Sequence, residues 1–449
     1  MGNLNQIIPS RFNAISPTED QGVILYNSFT GAITYFSEAE KHEVFSILKG
    51  VTTDNEFSSS TLQTLQELGF IVSEKVDEQA RAQFLHHSLH RTDHMHLVIL
   101  PTEACNFRCE YCFENFPRGK MTDHAIEGLK KFIEDKATSL SELSISWFGG
   151  EPLLEPEIIG KLSQSFLTTA KKYNINYSAD LITNGYFLTE DLFRSLLSWK
   201  IQQFMITIDG PDSIHDLRRP LIGGGGTFSK IVENLKRIKD INGDFEITIR
   251  VNFDENNLEA IPELISFLSE HFSDDSRFQT FFHPVGRWGG KNDAELPICN
   301  RVTADKKIYD FSNTSIQQGL KISSLVEGSM MPTGSVCYAA KPHSLVVGSD
   351  GKLYKCTTAL DEEVNRVGQL HADGSTELDY DKLAFWVTSG EEKDSVCQSC
   401  FYRPACQGNH CPLYRMRTGE RPCPYEKRKI KNILQLIWNN HSTLKEVKL

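Results

Sequence analysis

Three closely spaced cysteines are the residues of this chain best placed to do chemistry. Cys105, Cys109 and Cys112 form a C-x3-C-x2-C run that follows the apolar segment from His96 to Leu100. A short loop with three thiolates can hold three irons of a [4Fe–4S] cube and leave the fourth iron open to a substrate or cofactor. A zinc site would require a fourth protein ligand nearby, and this loop has none. The spacing therefore predicts an iron–sulfur centre with one open coordination position.

Seven further cysteines are concentrated between residues 337 and 423. A region with many thiols and little regular structure is usually held together by metal. Two zinc sites, each with four cysteines or with three and a histidine such as His410, are the alternative to iron–sulfur clusters. The seven are Cys337, Cys356, Cys397, Cys400, Cys406, Cys411 and Cys423. The last thiol, Cys299, is either a metal ligand or an ordinary buried cysteine.

Strand and helix patterns alternate from residue 96 to about residue 285. Crossover helices between successive strands imply a parallel sheet, and six strands fall short of the eight of a closed barrel. We therefore expect an α/β fold with a partial (β/α)6 barrel whose site lies at the carboxyl ends of the strands, where the cysteine loop is found. The predicted strands are 96–101, 142–148, 178–183, 203–208, 246–253 and 278–284, and the predicted helices are 121–137, 156–173, 189–199, 227–242 and 257–271.

The two ends of the chain have different patterns. Residues 1–20 are interpreted as a loose lead-in, and residues 23–26 and 33–36 as a β-hairpin. A capping box predicts a helix from Ser37 to about Leu48, and a second helix and a strand follow at 60–68 and 70–72. Beyond residue 285 the alternation fades. The predicted domains are a winged-helix-like domain (1–76), a helical linker (77–94), the partial barrel (95–290), a bridging region (291–330) and a cysteine-rich domain (331–449) that ends in an amphipathic helix at 425–439.

Small and polar residues follow three of the predicted strands. Two glycines after the second strand let the backbone approach a ligand closely, and the carboxylate after them can accept a hydrogen bond from an ammonium group. Each of these short motifs is weak by itself, because a strand-ending turn has the same composition. The candidate ligand-binding residues are Gly149, Gly150, Glu151, Asn184, Thr207 and Arg219.

The cysteine loop, with Tyr111 directly before its last cysteine, resembles the signature of the radical S-adenosylmethionine (SAM) enzymes. The resemblance covers roughly residues 95–425 and implies that SAM chelates the open iron through its amino and carboxylate groups. It implies that the Gly149–Gly150–Glu151 motif binds the amino group of SAM and that the residues matching Thr207 and Arg219 contact its carboxylate. Tyr111 and Asn184 are further cofactor-binding residues on the same grounds.

The C-terminal cysteines resemble the SPASM domain, which carries two auxiliary [4Fe–4S] clusters, so three clusters are expected in all. The family's topology implies that Cys337, Cys356 and Cys411 ligate the inner auxiliary cluster. Cys299 is then either the fourth ligand of that cluster or a buried thiol. The outer auxiliary cluster would be held by Cys397, Cys400, Cys406 and Cys423. Four residues separate Cys406 from Cys411, where the family usually has three, and this departure leaves the geometry of that loop open.

The resemblance implies an oxidoreductase that modifies a peptide. A 5′-deoxyadenosyl radical would take hydrogen from a carbon of a ribosomally made precursor peptide, and a substrate cysteine would bond to that carbon as a thioether, as in ranthipeptide and sactipeptide maturases. Carbon–carbon or carbon–oxygen cross-linking is the nearest rival. Sulfatase maturation to formylglycine is another alternative, although Thr357 stands where that branch carries an aspartate base. An iron–sulfur electron carrier or sensor is the non-enzymatic alternative.

Partners and location follow from the front domain and the composition. The front domain resembles the leader-recognition element of peptide maturases, which pairs an extended peptide with a sheet edge; a stabilising appendage or a DNA-binding winged helix is the alternative. The net charge of −12 disfavours a nucleic-acid partner. The sequence has no run of 18 apolar residues, so no membrane-spanning segment is expected. The expected partners are a precursor peptide with a leader sequence and an electron donor of the flavodoxin or ferredoxin type. Eleven cysteines and the lack of a secretory signal favour the reducing cytoplasm.

Overall fold

The computed structural model describes residues 7–49, 59–116 and 118–442, and the chain divides into two compact units. Unit 1 comprises residues 1–91, 324–342 and 386–449, whereas unit 2 comprises residues 92–323 and 343–385. The functional roles predicted for the five domains stay predictions. In the described part of the chain, no helix has both the length and the apolar character needed to cross a membrane.

The front of unit 1 contains two small antiparallel sheets. One sheet has the order β2-β3-β4, and the other pairs β1 with β5. The predicted hairpin is confirmed, because its two strands pair in antiparallel. The predicted first helix is also confirmed, and Ser37 and Glu40 form its capping box. The prediction that residues 1–20 form a loose lead-in is wrong from residue 7 onward, because strands form there. Residues 1–6 lie outside the described residues. The elements are β1 (Ile7–Pro9), β2 (Asn13–Pro17), β3 (Val23–Asn27), β4 (Ile33–Phe36), α1 (Glu38–Leu48), α2 (Ser59–Glu67), β5 (Ile71–Ser73) and α3 (Glu78–His87).

The main sheet of unit 2 confirms the six predicted parallel strands. Each of the six pairs in parallel with its neighbour in sequence order, and helices connect them. The strands are β6 (His94–Ile99), β7 (Glu142–Trp147), β8 (Asn176–Thr183), β9 (Ile201–Thr207), β10 (Glu246–Phe253) and β11 (Phe278–Pro284). The helices are α4 (Asp123–Lys136), α5 (Pro156–Tyr173), α6 (Glu190–Ser198), α7 (Asp212–Arg218), α8 (Phe228–Lys239) and α9 (Ile261–Phe272).

Regular structure continues beyond residue 285, contrary to expectation. One further strand pairs with β11, and four strands after it extend the other side of the sheet from β6, giving eleven strands in all. The predicted helix at 425–439 is two helices separated by Lys429. The elements are α10 (Arg301–Gln317), β12 (Lys321–Ile322), α11 (Ser324–Met330), β13 (Ser344–Val347), β14 (Lys352–Tyr354), β15 (Arg366–Leu370), β16 (Thr376–Leu378), α12 (Tyr380–Val387), α13 (Ser395–Gln398), α14 (Arg403–Cys406), α15 (Pro412–Thr418), α16 (Tyr425–Arg428) and α17 (Ile430–Ser442).

The parallel register brings the carboxyl ends of β6 to β11 to one edge of the sheet. Ile99 lies beside Trp147 at the ends of β6 and β7, and Phe253 lies beside Pro284 at the ends of β10 and β11. The loops that follow these strands therefore share this edge. This arrangement brings the cysteine loop close to the motifs that follow β7, β8 and β9.

In unit 1, the first and last parts of the chain pack against each other. The ring of Tyr35 on β4 stacks on Trp438 of α17 with the centroids 4.4 Å apart. The Ser16 hydroxyl donates to the Lys431 carbonyl oxygen at 3.3 Å, and the buried Tyr26 hydroxyl donates to the Met330 carbonyl oxygen at 2.5 Å. The front sheets are therefore one part of a larger unit that needs the C-terminal segments to cover them.

Candidate functional site

A cavity of about 190 Å³ opens at the carboxyl edge of the parallel sheet. Its walls come from the loops after β6 and β7 and from the ends of β8 to β11. Nine of the residues singled out from the sequence line this one cavity: Cys105, Cys109, Tyr111, Cys112, Gly149, Gly150, Asn184, Thr207 and Arg219. The fold thus brings together side chains that are more than 100 residues apart in the sequence. Their individual roles stay predictions.

The three thiols of the cysteine loop share an environment that disfavours their charged form. Burial raises the pKa of Cys105 and of Cys112 to about 12, and it also raises the pKa of Cys109, although the nearby Arg219 acts in the opposite direction. A thiolate at such a site requires a strongly positive partner. A metal cluster supplies that charge, so three partly buried cysteines around one cavity are a donor set that fits a cluster bound through three thiolates.

The two glycines after β7 pack directly against the cysteine loop. Gly149 has φ +131°, and a Cβ there would lie 2.2 Å from the Thr102 carbonyl oxygen. A Cβ on Gly150 would lie 2.4 Å from the Ala104 carbonyl oxygen, which also accepts a hydrogen bond from the backbone N–H of Glu151 at 2.9 Å. Both positions therefore require glycine if the loop that carries the cysteines is to stay in place.

Replacing Gly149 with alanine is expected to destabilise the fold by at least about 2 kcal/mol, because the substitution adds both backbone strain and a collision with Thr102. Urea unfolding followed by circular dichroism would measure the change. Gly119→Ala is the matched control, since a Cβ at Gly119 meets no atom within 4 Å. Equal stability of the two variants would contradict the proposed role of Gly149.

Glu151 lies behind the cavity wall, and its predicted contact with the amino group of SAM stays a prediction. Its side chain is fully buried and is absent from the lining of the cavity. The carboxylate accepts hydrogen bonds from the backbone N–H of Asn184 at 2.7 Å and from the Thr183 hydroxyl at 2.7 Å. Burial nevertheless raises its pKa. In this structure Glu151 fixes the loop after β8, and so orients Asn184 rather than lining the site itself.

Tyr111 is held by a polar network that sequence reasoning did not find. Its hydroxyl donates to the buried Asp209 carboxylate and accepts from Arg219 Nη1 at 2.6 Å and from Asn252 Nδ2 at 3.1 Å. Asp209 also accepts from the backbone N–H of Asn252 at 2.8 Å. The network joins the cysteine loop to the ends of β9 and β10. Asp209 lies two residues after the predicted Thr207. Its position directly after a strand is the one feature of the sequence that could have identified it as a site residue.

Arg218 ties the cysteine loop to the end of β10. Its guanidinium forms two hydrogen bonds with the Asp254 carboxylate, at 3.0 and 2.8 Å, and also contacts Glu110. Arg218 and Asp254 are both almost completely buried. Such a bidentate pair fixes both partners in orientation as well as position. This neighbour of the predicted Arg219 is therefore a structural anchor of the cysteine loop.

A second cation, Arg250, lines the cavity without a carboxylate partner in the described part of the chain. Its Nε donates to the Asn252 side-chain oxygen at 2.8 Å, and burial lowers its pKa. His283 and Trp288 complete this side of the cavity. None of these three residues was predicted from the sequence, because Arg250 and His283 lie inside strands and Trp288 lies in the loop after β11, and none of them belongs to a motif.

Comparison with known proteins finds a family match for the central part of the chain. The sequence model of the Radical SAM superfamily matches residues 99–268, which run from the end of β6 into α9. Residues 99–268 are thus similar to the radical SAM superfamily, and the parallel sheet has the radical SAM fold. Members of this superfamily bind SAM and a [4Fe–4S] cluster, which agrees with the three cysteines of the cavity.

Curated relatives include maturating enzymes that act on sulfatases. A cysteine-type anaerobic sulfatase-maturating enzyme of Clostridium novyi is 25% identical over 340 residues, which cover 69% of this chain and 86% of the relative. A serine-type enzyme of Bacteroides thetaiotaomicron is 24% identical over 368 residues, covering 73% of this chain and 84% of the relative. The radical SAM cyclopropyl synthase TigE of Paramaledivibacter caminithermalis is 24% identical over 54% of this chain and 56% of the relative.

Two solved radical SAM structures share the fold. The anaerobic sulfatase-maturating enzyme anSMEcpe, with bound AdoMet and the Cp18Cys peptide, has a TM-score of 0.59 at 20% identity and covers 79% of this chain and 100% of its own. SuiB of Streptococcus suis, bound to S-adenosylmethionine, has a TM-score of 0.51 at 13% identity and covers 92% of this chain and 97% of its own.

Four C-terminal cysteines lie close together in unit 1. Cys406 interacts electrostatically with Cys397 and Cys400, and Cys400 with Cys423. Burial raises the pKa of Cys397, Cys400 and Cys406, the last to about 12. These are the four residues predicted to hold the outer auxiliary cluster, and this donor set fits a four-thiolate cluster.

The residues predicted for the inner auxiliary cluster are divided between the two units. Cys337 and Cys411 belong to unit 1, and Cys356 and Cys299 belong to unit 2. Cys299 is buried and has Asp254, Glu255 and Lys307 as electrostatic neighbours. The inner cluster and the role of Cys299 stay predictions. Among the described residues, no three His, Cys, Asp or Glu side chains are grouped to hold a single metal ion.

Proposed function

We propose that the chain is a peptide maturase that links the sulfur of a substrate cysteine to a carbon atom of a ribosomally made precursor. The observation that carries the proposal is the cavity at the sheet edge, where the three cysteines meet the residues predicted to bind SAM. The cluster and SAM supply hydrogen-atom abstraction when they are bound. Cysteine sulfur and carbon then join with the loss of one hydrogen from each.

The protein's own contribution is to hold and orient the reacting groups. In the proposal, Arg219 and Thr207 bind the carboxylate of SAM, and the backbone at Gly149 and Gly150 lies close to its amino group. Tyr111, fixed by Asp209 and Asn252, orients Arg219 toward the cavity. Trp288 and the other apolar walls keep water away from the reacting carbon, which protects a reactive species from side reactions.

The front of the chain supports a leader-dependent enzyme. The alignment with SuiB covers 92% of this chain. Residues 92–449 alone are only 358 of the 449 residues, which is a smaller share. The shared fold therefore includes part of residues 1–91. Within the described residues β4 is one of the two edge strands of its sheet, with β3 as its strand neighbour. In the proposal, an extended leader peptide pairs with β4 main chain to main chain.

We expect addition of the precursor to slow hydrogen exchange of backbone amides in β4. Mass spectrometry of exchange in residues 33–36, compared with β16 as an edge strand of the eleven-stranded sheet, would measure this. The exchange measurement uses the full chain and not a variant that lacks the front domain, because the front sheets pack against the C-terminal segments. Unchanged exchange in β4 under saturating precursor would contradict leader docking at this edge.

Formylglycine formation is a second candidate, favoured by the sulfatase-maturating relatives that match over more than four fifths of their own length. Thr357 argues against it, because a threonine cannot act as the carboxylate base that this reaction uses. Incubating the anaerobic protein with SAM, a strong reductant and a cysteine-containing precursor separates the two. Mass spectrometry should find a loss of two hydrogens for each thioether formed, whereas conversion of the cysteine to an aldehyde would establish the second candidate.

Two auxiliary clusters and a protein electron donor complete the proposal. Three clusters in all would be present, and an auxiliary cluster would accept the surplus electron of bond formation. The donor would be of the flavodoxin or ferredoxin type. Release of 5′-deoxyadenosine from SAM distinguishes this enzyme from an iron–sulfur electron carrier or sensor, which would leave SAM intact.

Arg415→Gln is expected to lower the midpoint potential of the outer auxiliary cluster by on the order of 50 mV. Arg415 Nη2 donates to Cys397 Sγ at 3.4 Å, and a cation beside a thiolate ligand stabilises the more negative reduced cluster. A redox titration followed by electron paramagnetic resonance would measure the shift. Arg194→Gln, which breaks an exposed ion pair with Glu190, is the control. Equal potentials in both variants would contradict the role of Arg415.

A further inference from the structure

Two predicted ligands of the outer auxiliary cluster are joined by a short piece of chain whose backbone contacts them directly. We call residues 399–406 the ligand segment; it contains Cys400 and Cys406. The Tyr402 N–H donates to Cys400 Sγ at 3.4 Å. The Arg403 N–H donates to the Cys400 carbonyl oxygen at 3.1 Å, and the Cys406 N–H donates to the Tyr402 carbonyl oxygen at 3.2 Å. The positions of both cysteines therefore depend on what holds Tyr402 and Arg403 in place.

The front of the chain binds the backbone of the ligand segment on both sides of Cys400. Arg11 Nη2 donates to the Ser399 carbonyl oxygen at 3.3 Å. The buried Ser28, in the turn after β3, donates through its hydroxyl to the Phe401 carbonyl oxygen. Hydrogen bonds to the two backbone oxygens that flank one cysteine restrict both its position and its orientation.

Arg403 joins the ligand segment to α3. Its Nη1 donates to the Gln79 side-chain oxygen at 2.6 Å, and its Nη2 donates to the Gln83 side-chain oxygen at 2.9 Å. The same guanidinium donates to the Glu391 carboxylate through Nε at 2.9 Å and through Nη2 at 2.6 Å. Arg403 and Glu391 are both buried, so this bidentate pair fixes the guanidinium in orientation. The two glutamines of α3 are therefore bound to a rigid point of the ligand segment.

All of these contacts lie inside unit 1, and buried aromatic packing adds to them. The rings of Tyr26 on β3 and of Tyr402 have their centroids 6.3 Å apart, and both side chains are completely buried. A cluster held by the four outer cysteines would cross-link both ends of the ligand segment. Metal binding to a site that exists only in the folded chain adds to the free energy of folding. The cluster would therefore stabilise the parts of the chain that the ligand segment contacts.

We propose that the outer auxiliary cluster and the front of the chain hold each other in place, so that the precursor docks only on a chain whose outer cluster is assembled. The proposal rests on the proposed function, in which the leader peptide pairs with β4. The contacts from Arg11, Ser28, Gln79 and Gln83 to the ligand segment are the physical link between the two sites. Such coupling is reciprocal: the cluster slows opening of the front sheets and α3, and these elements slow loss of the cluster.

Hydrogen exchange of the full-length, iron-loaded protein tests the effect of the cluster on the front of the chain. Cys423→Ala removes a predicted ligand of the outer cluster that lies outside the ligand segment. Mass spectrometry should find that backbone amides of α3 and β3 exchange at least about tenfold faster than in the unmodified protein, the effect of roughly 1.4 kcal/mol of lost coupling. Cys109→Ala, which removes a predicted cluster ligand in unit 2, is the matched control and should keep the normal exchange in α3 and β3. Unchanged exchange in Cys423→Ala would overturn the proposal.

Loss of iron to a chelator tests the opposite direction with every cysteine in place. The double variant Gln79→Ala with Gln83→Ala removes the side-chain hydrogen bonds between α3 and Arg403. The electron paramagnetic resonance signal of the outer cluster should then disappear about tenfold faster, because the cluster loses part of the shell that supports its ligands. Arg81→Ala with Phe84→Ala, at two exposed positions of the same helix, is the matched control. Equal rates for the two double variants would overturn the proposal.

These measurements separate the coupling from the proposed function. If anaerobically prepared protein held no iron, both would fail. If iron-loaded protein released 5′-deoxyadenosine from SAM but gave unchanged exchange or equal rates of iron loss, the coupling alone would fail.

Discussion

Replacing Cys109 with alanine is expected to reduce release of 5′-deoxyadenosine from SAM to background. Cys109 is the central thiol of the loop and lines the cavity together with Cys105 and Cys112. With only two thiolates left, the cluster at this site has no adequate protein ligation. Anaerobic protein with SAM and dithionite, analysed by liquid chromatography, measures the release. Iron content should fall by about a third if the two auxiliary clusters persist.

Cys299→Ala is the matched control for this experiment. Cys299 is also a buried cysteine of unit 2, but it is absent from the lining of the cavity. Release of 5′-deoxyadenosine should continue in this variant, and its iron content tells whether Cys299 is a ligand of the inner auxiliary cluster. Release at the normal rate from Cys109→Ala would mean that another centre cleaves SAM.

Replacing Arg218 with methionine is expected to cost about 3–5 kcal/mol in the free energy of unfolding. The substitution keeps much of the side-chain volume but leaves the fully buried Asp254 carboxylate without its bidentate partner. It also removes the contact with Glu110 in the cysteine loop. Urea unfolding measures the loss, and cluster content after anaerobic reconstitution should fall with it.

Arg194→Met provides the comparison for Arg218→Met. Arg194 forms an ion pair with Glu190 one turn away on α6, with both side chains about half exposed. Exposed pairs of this kind contribute less than about 0.5 kcal/mol. A similar loss of stability in the two variants would show that burial of the Arg218 pair has no special effect.

The parallel sheet and the cavity could be predicted because their signals are local. The six parallel strands carry apolar residues in short runs or in alternation, such as the run from His96 to Leu100, and chain order with crossover helices fixes the parallel arrangement. Gly149, Asn184 and Thr207 could be associated because the carboxyl ends of parallel strands meet at one edge. The sequence could not show that the Glu151 carboxylate binds the backbone N–H of Asn184, because that contact exists only in the folded protein; the predicted role of Glu151 toward SAM stays a prediction.

Elements with polar buried faces were missed. The buried face of α10 includes Asp305, Ser312 and Ser315, so the helix lacks the apolar periodicity that identifies a helix in sequence. Strand β2 contains asparagine and serine and ends in a proline, which resembles a loop. The Arg218–Asp254 pair was missed for another reason: only tertiary structure brings together two charged residues that are 36 positions apart.

The interleaved composition of unit 1 affects how the chain folds during synthesis. Tyr26 and Ser16 emerge from the ribosome roughly 300 and 400 residues before their partners Met330 and Lys431. At a synthesis rate of about 5–20 residues per second, the apolar faces of the front sheets stay uncovered for on the order of a minute, until α17 has been synthesised. Nascent chains should therefore depend on chaperones over that interval, and slower growth at low temperature should raise the yield of native protein.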